Sequence, residues 1–296
     1  MTLAPCIPNK TSLYSTLCST YMFMNTSSEI LTRRNRPPEL VVDLIQSWKM
    51  REGWITLAKF DLHNSYRRTT FGPFWITIQQ SIWILSINLV FTKLLGMPTS
   101  DFLPIVAIGI VVWSLIQNLI SSSATIYTSS SSQIKSSTIP LPFYIFQSIF
   151  STVLSFLHTL LALLFLPLVA QVSLNPIALL TSPFVITAML LNGLFMSLWM
   201  APLAARYRDV STTIPVILQI LLFLTPVFWS AEIITDREIV VLLNPLAWFI
   251  QTFRAPFLGE KVHALAIIGI LLLTVANALV AMFVYPRTKR KVNLWI

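Results

Sequence analysis

The sequence predicts an all-α membrane protein with six transmembrane helices, an N-terminal amphipathic interfacial helix and short re-entrant helices between the fifth and sixth spans. Three observations support this class. Hydrophobic residues make up 55% of the chain and charged residues 10%, whereas ordinary soluble domains are about 25% charged. The mean hydropathy is +0.74. Apolar runs recur along the chain, and each is long enough to cross a bilayer, which takes roughly 20 residues.

The N-terminal part divides into a leader and a membrane-surface region. Residues 1–37 are rich in Ser, Thr and Asn, lack the apolar core of a signal peptide, and have no predicted role. Cys6 and Cys18 lie in this leader and are expected to stay reduced in the cytosol. Residues 38–72 are predicted to form amphipathic interface helices, broken at Gly53, because an apolar stripe with aromatic and basic residues precedes the first span. A small soluble subdomain is the alternative.

A six-helix transmembrane domain is predicted over residues 73–286, followed by a basic cytoplasmic tail over residues 287–296. The apolar runs lie near 74–95, 102–126, 143–170, 176–203, 211–231 and 264–285. Between the last two runs, residues 239–243 and 246–258 are apolar but too short to span, which favours re-entrant or interfacial helices. Such backbone needs surrounding protein or a water-filled cavity, so these two pieces suggest a pore mouth.

The basic residues predict the orientation of the chain. Sixteen of the 20 Lys and Arg residues lie in segments that an even number of crossings places on one side of the membrane. Because basic loops stay in the cytoplasm, both termini are predicted to be cytoplasmic. Topology therefore accounts for the net charge of +9, and no nucleic-acid partner is expected.

The motifs of nucleotide binding and of metal-dependent catalysis are missing from this sequence. The chain lacks G-x-x-x-x-G-K-[ST], H-E-x-x-H and D-x-D. The predicted spans contain no Asp, Glu or Arg, although ion-coupled transporters usually bury an ionisable residue near the midplane. We therefore expect no cofactor and no metal site in this chain, and expect that the energy for any transport comes from another subunit.

Neutral polar residues do occur within the predicted spans. They are Gln79, Gln80, Ser86, Asn88, Gln117, Asn118, Asn192 and Gln219. Hydrogen bonds between helices are one role for them, and a path for a neutral, hydroxyl-rich solute is the other. The sequence leaves both roles open.

Seven aromatic residues of the predicted spans and of the segment before the last span are candidates for a sugar path, because an aromatic face packs against the C–H face of a pyranose without fixing one geometry. The candidates are Trp75, Trp83, Phe223, Phe228, Trp229, Trp248 and Phe249. The alternative is the aromatic belt that proteins place at each bilayer surface.

Short motifs lie at the ends of the predicted spans. The first span is entered by Tyr66-Arg67-Arg68-Thr69-Thr70-Phe71-Gly72-Pro73-Phe74-Trp75, and the fifth is preceded by Arg206-Tyr207-Arg208-Asp209. The others are Ile139-Pro140-Leu141-Pro142, Phe156-Leu157-His158, Thr225-Pro226-Val227-Phe228, Asn244-Pro245-Leu246 and Phe253-Arg254. In order and spacing, over roughly residues 38–290, they resemble the ABC-2 type permeases that export polysaccharides. The leader and the run Ser129–Ser132 depart from that family and have no predicted function.

The resemblance implies partners. Two copies of this chain would stand side by side, with two copies of a cytoplasmic P-loop ATPase subunit that binds ATP and Mg. The contacts with the ATPase would be the amphipathic helix before the first span and the loop before the fifth. The residues concerned are Arg67, Arg68, Arg206, Tyr207, Arg208 and Asp209. The alternative for Arg206 and Arg208 is simple anchoring of a cytoplasmic turn, and Asp209 would also suit the N-terminus of a helix.

The function expected from this resemblance is ATP-driven export of a lipid-linked polysaccharide, such as an O-antigen, across the bacterial inner membrane. Three alternatives remain. The first is an ABC-2 exporter of capsule, teichoic acid or a smaller lipid or drug. The second is a membrane-embedded transferase that uses His63 or His158. The third is a non-catalytic scaffold.

Overall fold

A computed structural model describes residues 38–96, 98–165, 176–229, 244–260 and 262–296. These residues form α-helices, short 3-10 turns and loops, and no strand occurs among them. The helices are α1 (Glu39–Lys49), α2 (Arg51–Ser65), α3 (Phe74–Leu95), α4 (Thr99–Ser129), α5 (Ser131–Ser136), α6 (Pro142–Leu161), α7 (Pro176–Arg206), α8 (Asp209–Leu224), α9 (Pro245–Leu258), α10 (Ala264–Thr288) and α11 (Val292–Trp295). Residues Asp43–Ile296 form one compact unit, and of the unit before it only residues 38–42 are described.

Five of these helices are long and apolar enough to cross a membrane. They are Phe74–Leu94, Thr99–Ser129, Pro142–Leu161, Thr181–Arg206 and Ala264–Trp295. They correspond to the first, second, third, fourth and sixth predicted spans, so the chain is a multi-pass membrane protein. The predicted fifth span begins as α8, whose 16 residues fall short of the length that a crossing needs. The sixth crossing therefore stays a prediction.

The interface helices break one turn earlier than predicted. The helix is interrupted at Met50, and Gly53 lies inside α2. A Cβ at Gly53 would lie 3.3 Å from Cε2 of Phe143, so the glycine allows α2 to approach α6 closely. The Trp54 indole N–H donates to the Ser47 carbonyl at 3.2 Å, and its ring stacks on Phe146 with centroids 5.7 Å apart. The predicted break at Gly53 is therefore wrong, because this glycine permits close packing of α2 against α6 and does not end a helix.

Helix α4 lies at the centre of the apolar core. Val106, Val111 and Leu115 are fully buried in it, and their cluster extends to α3, α6, α7 and α9. Helix α4 also carries the polar residues Ser114, Asn118 and Ser122, which lie outside this cluster.

Each end of the bundle has a distinct composition. The end that carries Arg206, Arg208 and Arg287 is called the basic end below. The other, called the far end, carries the turn formed by residues 225–229 and helix α9. The Asn244 side chain accepts a hydrogen bond from the Leu246 N–H at 3.0 Å and caps α9. One predicted short piece, 246–258, is thus a helix, whereas the other, 239–243, lies outside the described residues; re-entrance stays a prediction.

Candidate functional site

A polar cleft runs beside the buried face of α4. Helices α3, α4 and α6 and the start of α8 enclose about 420 Å³ of it, and an adjoining pocket of about 230 Å³ extends it toward α2. The two parts share Ser122, Thr125, Ser151 and Thr152 as lining residues. Ser129 and Ser130, part of the serine run to which the sequence assigned no role, also line it. The cleft places a continuous polar surface among helices that are otherwise apolar.

The hydroxyl groups of the cleft mostly donate to their own helices. Ser114 donates to the Val111 carbonyl at 2.7 Å, and Thr152 donates to the Ser148 carbonyl at 3.0 Å. Thr125 likewise donates to a carbonyl one turn earlier. Such bonds satisfy the hydroxyl hydrogen within the helix. The oxygen lone pairs of these hydroxyl groups stay available as acceptors.

The side-chain amides separate into two groups. Gln79, Gln80 and Asn118 line the cleft and have no hydrogen-bond partner among the described residues. Asn192 instead donates to Thr274 Oγ1 at 2.6 Å and accepts from the Asn277 amide at 3.1 Å, which joins α7 to α10. The structure therefore shows interhelical hydrogen bonding for Asn192, and a solute path along Gln79, Gln80 and Asn118 stays a prediction.

Four other neutral polar residues of the predicted spans lie elsewhere. Asn88 is buried, and Ser86, Gln117 and Gln219 are exposed away from the cleft lining. The pattern in the sequence did not distinguish these residues from Gln79 and Asn118. Only the packing of the helices separates them.

The cleft contains one charged side chain among its described lining residues, Asp61. The Gln147 amide donates to Asp61 Oδ2 at 2.7 Å and joins α6 to α2. Gln147 is 8% exposed, and its Oε1 atom is buried without a hydrogen-bond partner. Sequence analysis missed this pair, because Asp61 resembles any polar residue of an amphipathic helix.

The predicted aromatic candidates do not line the polar cleft. Trp83 and Phe223 are 53% and 67% exposed on α3 and α8. Trp83 follows Gln79 and Gln80 by one helical turn and shares their face of α3. Its place in a substrate path stays a prediction.

The remaining aromatic candidates belong to the packing of the bundle. Phe228 and Phe249 are buried in the core, and Trp229 and Trp248 pack against it half-buried. The Trp75 ring lies edge-on to Phe71, with centroids 5.5 Å apart. These contacts support a structural role, and a sugar contact by any of the five stays a prediction.

The predicted ATPase-contact residues are exposed at the basic end. Arg67 and Arg68 lie in the turn after α2, where Arg68 has the uncommon backbone angle φ = 69°. The Arg206 guanidinium lies over the Tyr207 and Trp295 rings, 5.0 and 5.5 Å from their centroids. The contact with the ATPase itself stays a prediction.

Asp209 begins a helix, as its position before the predicted fifth span suggested. Asp209 is the first residue of α8, where a carboxylate meets the positive end of the helix dipole. Arg208 and Asp209 are both exposed. They are accessible to a partner at this end of the bundle.

A buried carboxylate that joins two helices at the basic end was not predicted. Asp43 in α1 is 6% exposed, and its Oδ2 atom accepts a hydrogen bond from the Tyr285 hydroxyl at 2.7 Å. The same carboxylate forms an ion pair with Lys289. The sequence assigned Asp43 to the polar face of an amphipathic helix, but the structure uses it to fasten α1 to the end of α10.

Three of the motifs converge at the far end. Arg254 is 1% exposed and donates from Nη1 to the Pro226 and Trp229 carbonyls at 3.1 and 3.3 Å. The Asn244 amide donates to the Thr225 hydroxyl at 2.8 Å. These contacts, called the far-end lock below, fasten α9 to the turn 225–229.

The far-end lock is seated on α4. A Cβ built at Gly109 would lie 2.2 Å from the Val227 carbonyl oxygen, so the turn touches the helix backbone. Burial lowers the pKa of the Arg254 guanidinium, and the charge of Glu260 opposes that shift. The guanidinium is held in this position by the Pro226 and Trp229 carbonyls.

The histidines proposed for a transferase show no catalytic arrangement among the described residues. His158 Nδ1 lies 2.9 Å from the Leu154 carbonyl of its own helix, and its ring is edge-on to Phe74. His63 is exposed on α2. Within the part of the chain that the structure describes, no three His, Cys, Asp or Glu side chains group as metal ligands.

Comparison with known proteins identifies the domain. A family model described as ABC-2 type transporter matches residues 52–258, more than half of the chain. The match spans both the polar cleft and the far-end lock. A search of curated proteins returned no match.

Proposed function

The chain belongs to the ABC-2 type transporter family, and we propose that it is the permease subunit of an ATP-driven exporter of a lipid-linked polysaccharide, such as an O-antigen, across the bacterial inner membrane. Membership in this family implies a transporter membrane component that works with an ATP-hydrolysing partner. The substrate, the inner membrane and the cytoplasmic termini are parts of the proposal.

The observation that carries the proposal is the polar cleft. The amides of Gln79, Gln80 and Asn118 have no hydrogen-bond partner among the described residues, and such groups would be costly if they faced lipid. The same groups suit a water-filled path or a solute that is itself rich in hydroxyl groups. A polysaccharide is such a solute.

An apolar groove on the opposite face of α3 supports a substrate that carries a lipid. The groove has a volume of about 640 Å³, and Phe74, Ile78, Ile82 and Leu85 contribute to its lining. Helix α3 therefore separates a polar surface from an apolar one. An amphiphile would bind with its sugar on one side of this helix and its hydrocarbon chain on the other.

The proposal includes a second copy of the chain and two ATPase subunits. Large apolar side chains of α8, among them Ile220 and Phe223, are exposed and would face lipid or the second copy. ATP and Mg would bind to the ATPase subunits. Conformational changes of the ATPase subunits would be transmitted to the helix bundle through Arg67 and Arg68 and through the loop from Arg206 to Asp209.

The coupling role is tested by an Arg208→Ala, Asp209→Ala double variant. Export and substrate-stimulated ATP hydrolysis should fall at least about tenfold, a loss of about 1.4 kcal/mol in coupling free energy, while membrane insertion stays normal. Arg287→Ala is the matched control, because Arg287 contacts Phe283 of its own helix and lies outside the proposed contact. Export by the double variant at the rate of the control would refute the coupling role.

The partner is tested by affinity purification in mild detergent. The proposal expects a stoichiometric P-loop subunit and ATP hydrolysis that depends on the complex. A chain that remains alone and inert would contradict it. Loss of all activity in His63→Ala or His158→Ala would favour the transferase instead, and export of capsule, teichoic acid or a small lipid by the purified complex would favour the other exporters.

A further inference from the structure

We infer that the polar cleft selects an electrically neutral glycan that donates hydrogen bonds, and that it rejects polyanions such as phosphate-linked polymers. This inference rests on the proposed function, since it names the substrate class of the same path. The inference distinguishes neutral polysaccharides from teichoic acids and acidic capsules as substrates, whereas membership in the family does not.

The first argument is the supply of acceptors in the cleft. Ser114, Ser122 and Thr152 use their hydroxyl hydrogens on backbone carbonyls and present oxygen lone pairs. A sugar hydroxyl can donate to such an oxygen. Ionised phosphate and carboxylate groups are acceptors only, so they find no donor at these three hydroxyl groups.

The second argument is Gln147. Gln147 lines the cleft and is more than nine-tenths buried, and its Oε1 atom has no hydrogen-bond partner among the described residues. An orphaned buried acceptor is costly, so the site favours a ligand that brings a donor. One N–H of the Gln147 amide is already bonded to the Asp61 carboxylate, which lies beside it.

The third argument is charge. Asp61 is the only charged residue among the described lining residues of the cleft, and no Lys or Arg lines it there. A carboxylate beside the passage repels anions, and the neighbouring low-dielectric protein strengthens that repulsion relative to bulk water. The uncommitted amides of Gln79, Gln80 and Asn118 add neutral donors and acceptors that match hydroxyl groups.

The test measures charge selection in the cleft with small thiol reagents. In a full-length chain with Cys6→Ser and Cys18→Ser, Ser122→Cys places one thiol where both parts of the cleft meet. Thr56→Cys, on the exposed side of α2, supplies the reference reactivity. The reagents are neutral hydroxyethyl methanethiosulfonate and anionic sulfonatoethyl methanethiosulfonate, applied to the protein in nanodiscs of neutral lipid.

Relative to the reference site, the anionic reagent should react at least about tenfold more slowly with the cleft thiol than the neutral reagent does. Asp61→Asn should reduce that discrimination severalfold. Glu52→Gln, a carboxylate of the same helix outside the cleft lining, should leave it unchanged. Equal reaction of both reagents, or equal effects of the two substitutions, overturns the inference.

A second measurement uses the glycan itself. A neutral glucose oligosaccharide should slow labelling of the cleft thiol more than its phosphorylated derivative does at the same concentration. Equal or greater protection by the phosphorylated form, or protection by neither, overturns the inference. A missing ATPase partner would refute the proposed function but would not change either labelling result, so the two failures are distinguishable.

Discussion

At the far end of the bundle, Arg254 and Asn244 bond to the neighbouring turn, whereas several amides of the polar cleft have no partner among the described residues. Arg254 and Asn244 reach across helices to a turn that rests on Gly109. Asn118 and Gln79, equally polar and equally set among apolar helices, bond to nothing among the described residues. Committed polar groups indicate structure, and uncommitted ones indicate a place for solvent or substrate.

The far-end contact should be the most sensitive to a single methyl group. Gly109→Ala places a Cβ 2.2 Å from a backbone carbonyl that cannot rotate away, so the turn 225–229 must shift. We expect a loss of about 3 kcal/mol, the upper end of overpacking costs. Thermal unfolding of the purified protein in detergent measures it.

The control for this change is Gly53→Ala. Its Cβ would meet only the Phe143 ring, at 3.3 Å, and alanine favours the helix by about 1 kcal/mol. Stability should therefore hold or rise. Equal losses of stability in the Gly53 and Gly109 variants would contradict the claim that the far end is packed more tightly than the contact between α2 and α6.

A smaller loss is expected from Arg254→Met, which keeps much of the side-chain volume and removes the guanidinium. The Pro226 and Trp229 carbonyls lose a charged donor, a change that costs about 2 kcal/mol. The unfolding temperature should fall accordingly. Arg287→Met removes an exposed guanidinium that bonds within its own helix, and it should have little effect. A similar fall in unfolding temperature for both variants would contradict the proposed difference, because the buried guanidinium would then contribute no more than the exposed one.

The smallest effect on stability should come from the cleft. Asn118→Leu removes an amide that bonds to no described residue, so stability should change by no more than about 0.5 kcal/mol while export falls. Asn192→Leu makes the same chemical change in the network with Thr274 and Asn277, and it should cost about 1 kcal/mol. Unfolding temperatures and export rates of both variants show whether each amide stabilises the fold or acts in transport. Destabilisation by Asn118→Leu as large as that by Asn192→Leu would mean that the cleft is structural.

Most of the bundle could be predicted because its signals are local. Five of the predicted spans appear as helices long enough to cross a membrane, since hydropathy over about 20 neighbouring residues is enough to identify a span. The helix that begins at Asp209 was also expected. Gly53 was wrong as a helix end, because a glycine that breaks a helix and a glycine that permits close packing look alike in sequence.

The candidate site was predicted in composition but not in arrangement. The sequence marked Gln79, Asn118 and Asn192 as one set of intramembrane polar residues with two open roles. It did not mark Asp61, Gln147 or Asp43, whose partners lie far along the chain. The aromatic candidates were chosen by residue type, and Phe228 and Phe249 pack in the core instead.

By itself, then, the sequence determined that this chain crosses a membrane several times, where five of the candidate spans lie, and that its motifs resemble those of a permease. These follow from properties that add up residue by residue along a short window. The tertiary structure decided which polar groups are paired and which line a cleft. That depends on distances between residues more than 80 positions apart, such as Gln147 and Asp61 or Asn192 and Asn277, and only the packing of the helices sets those distances.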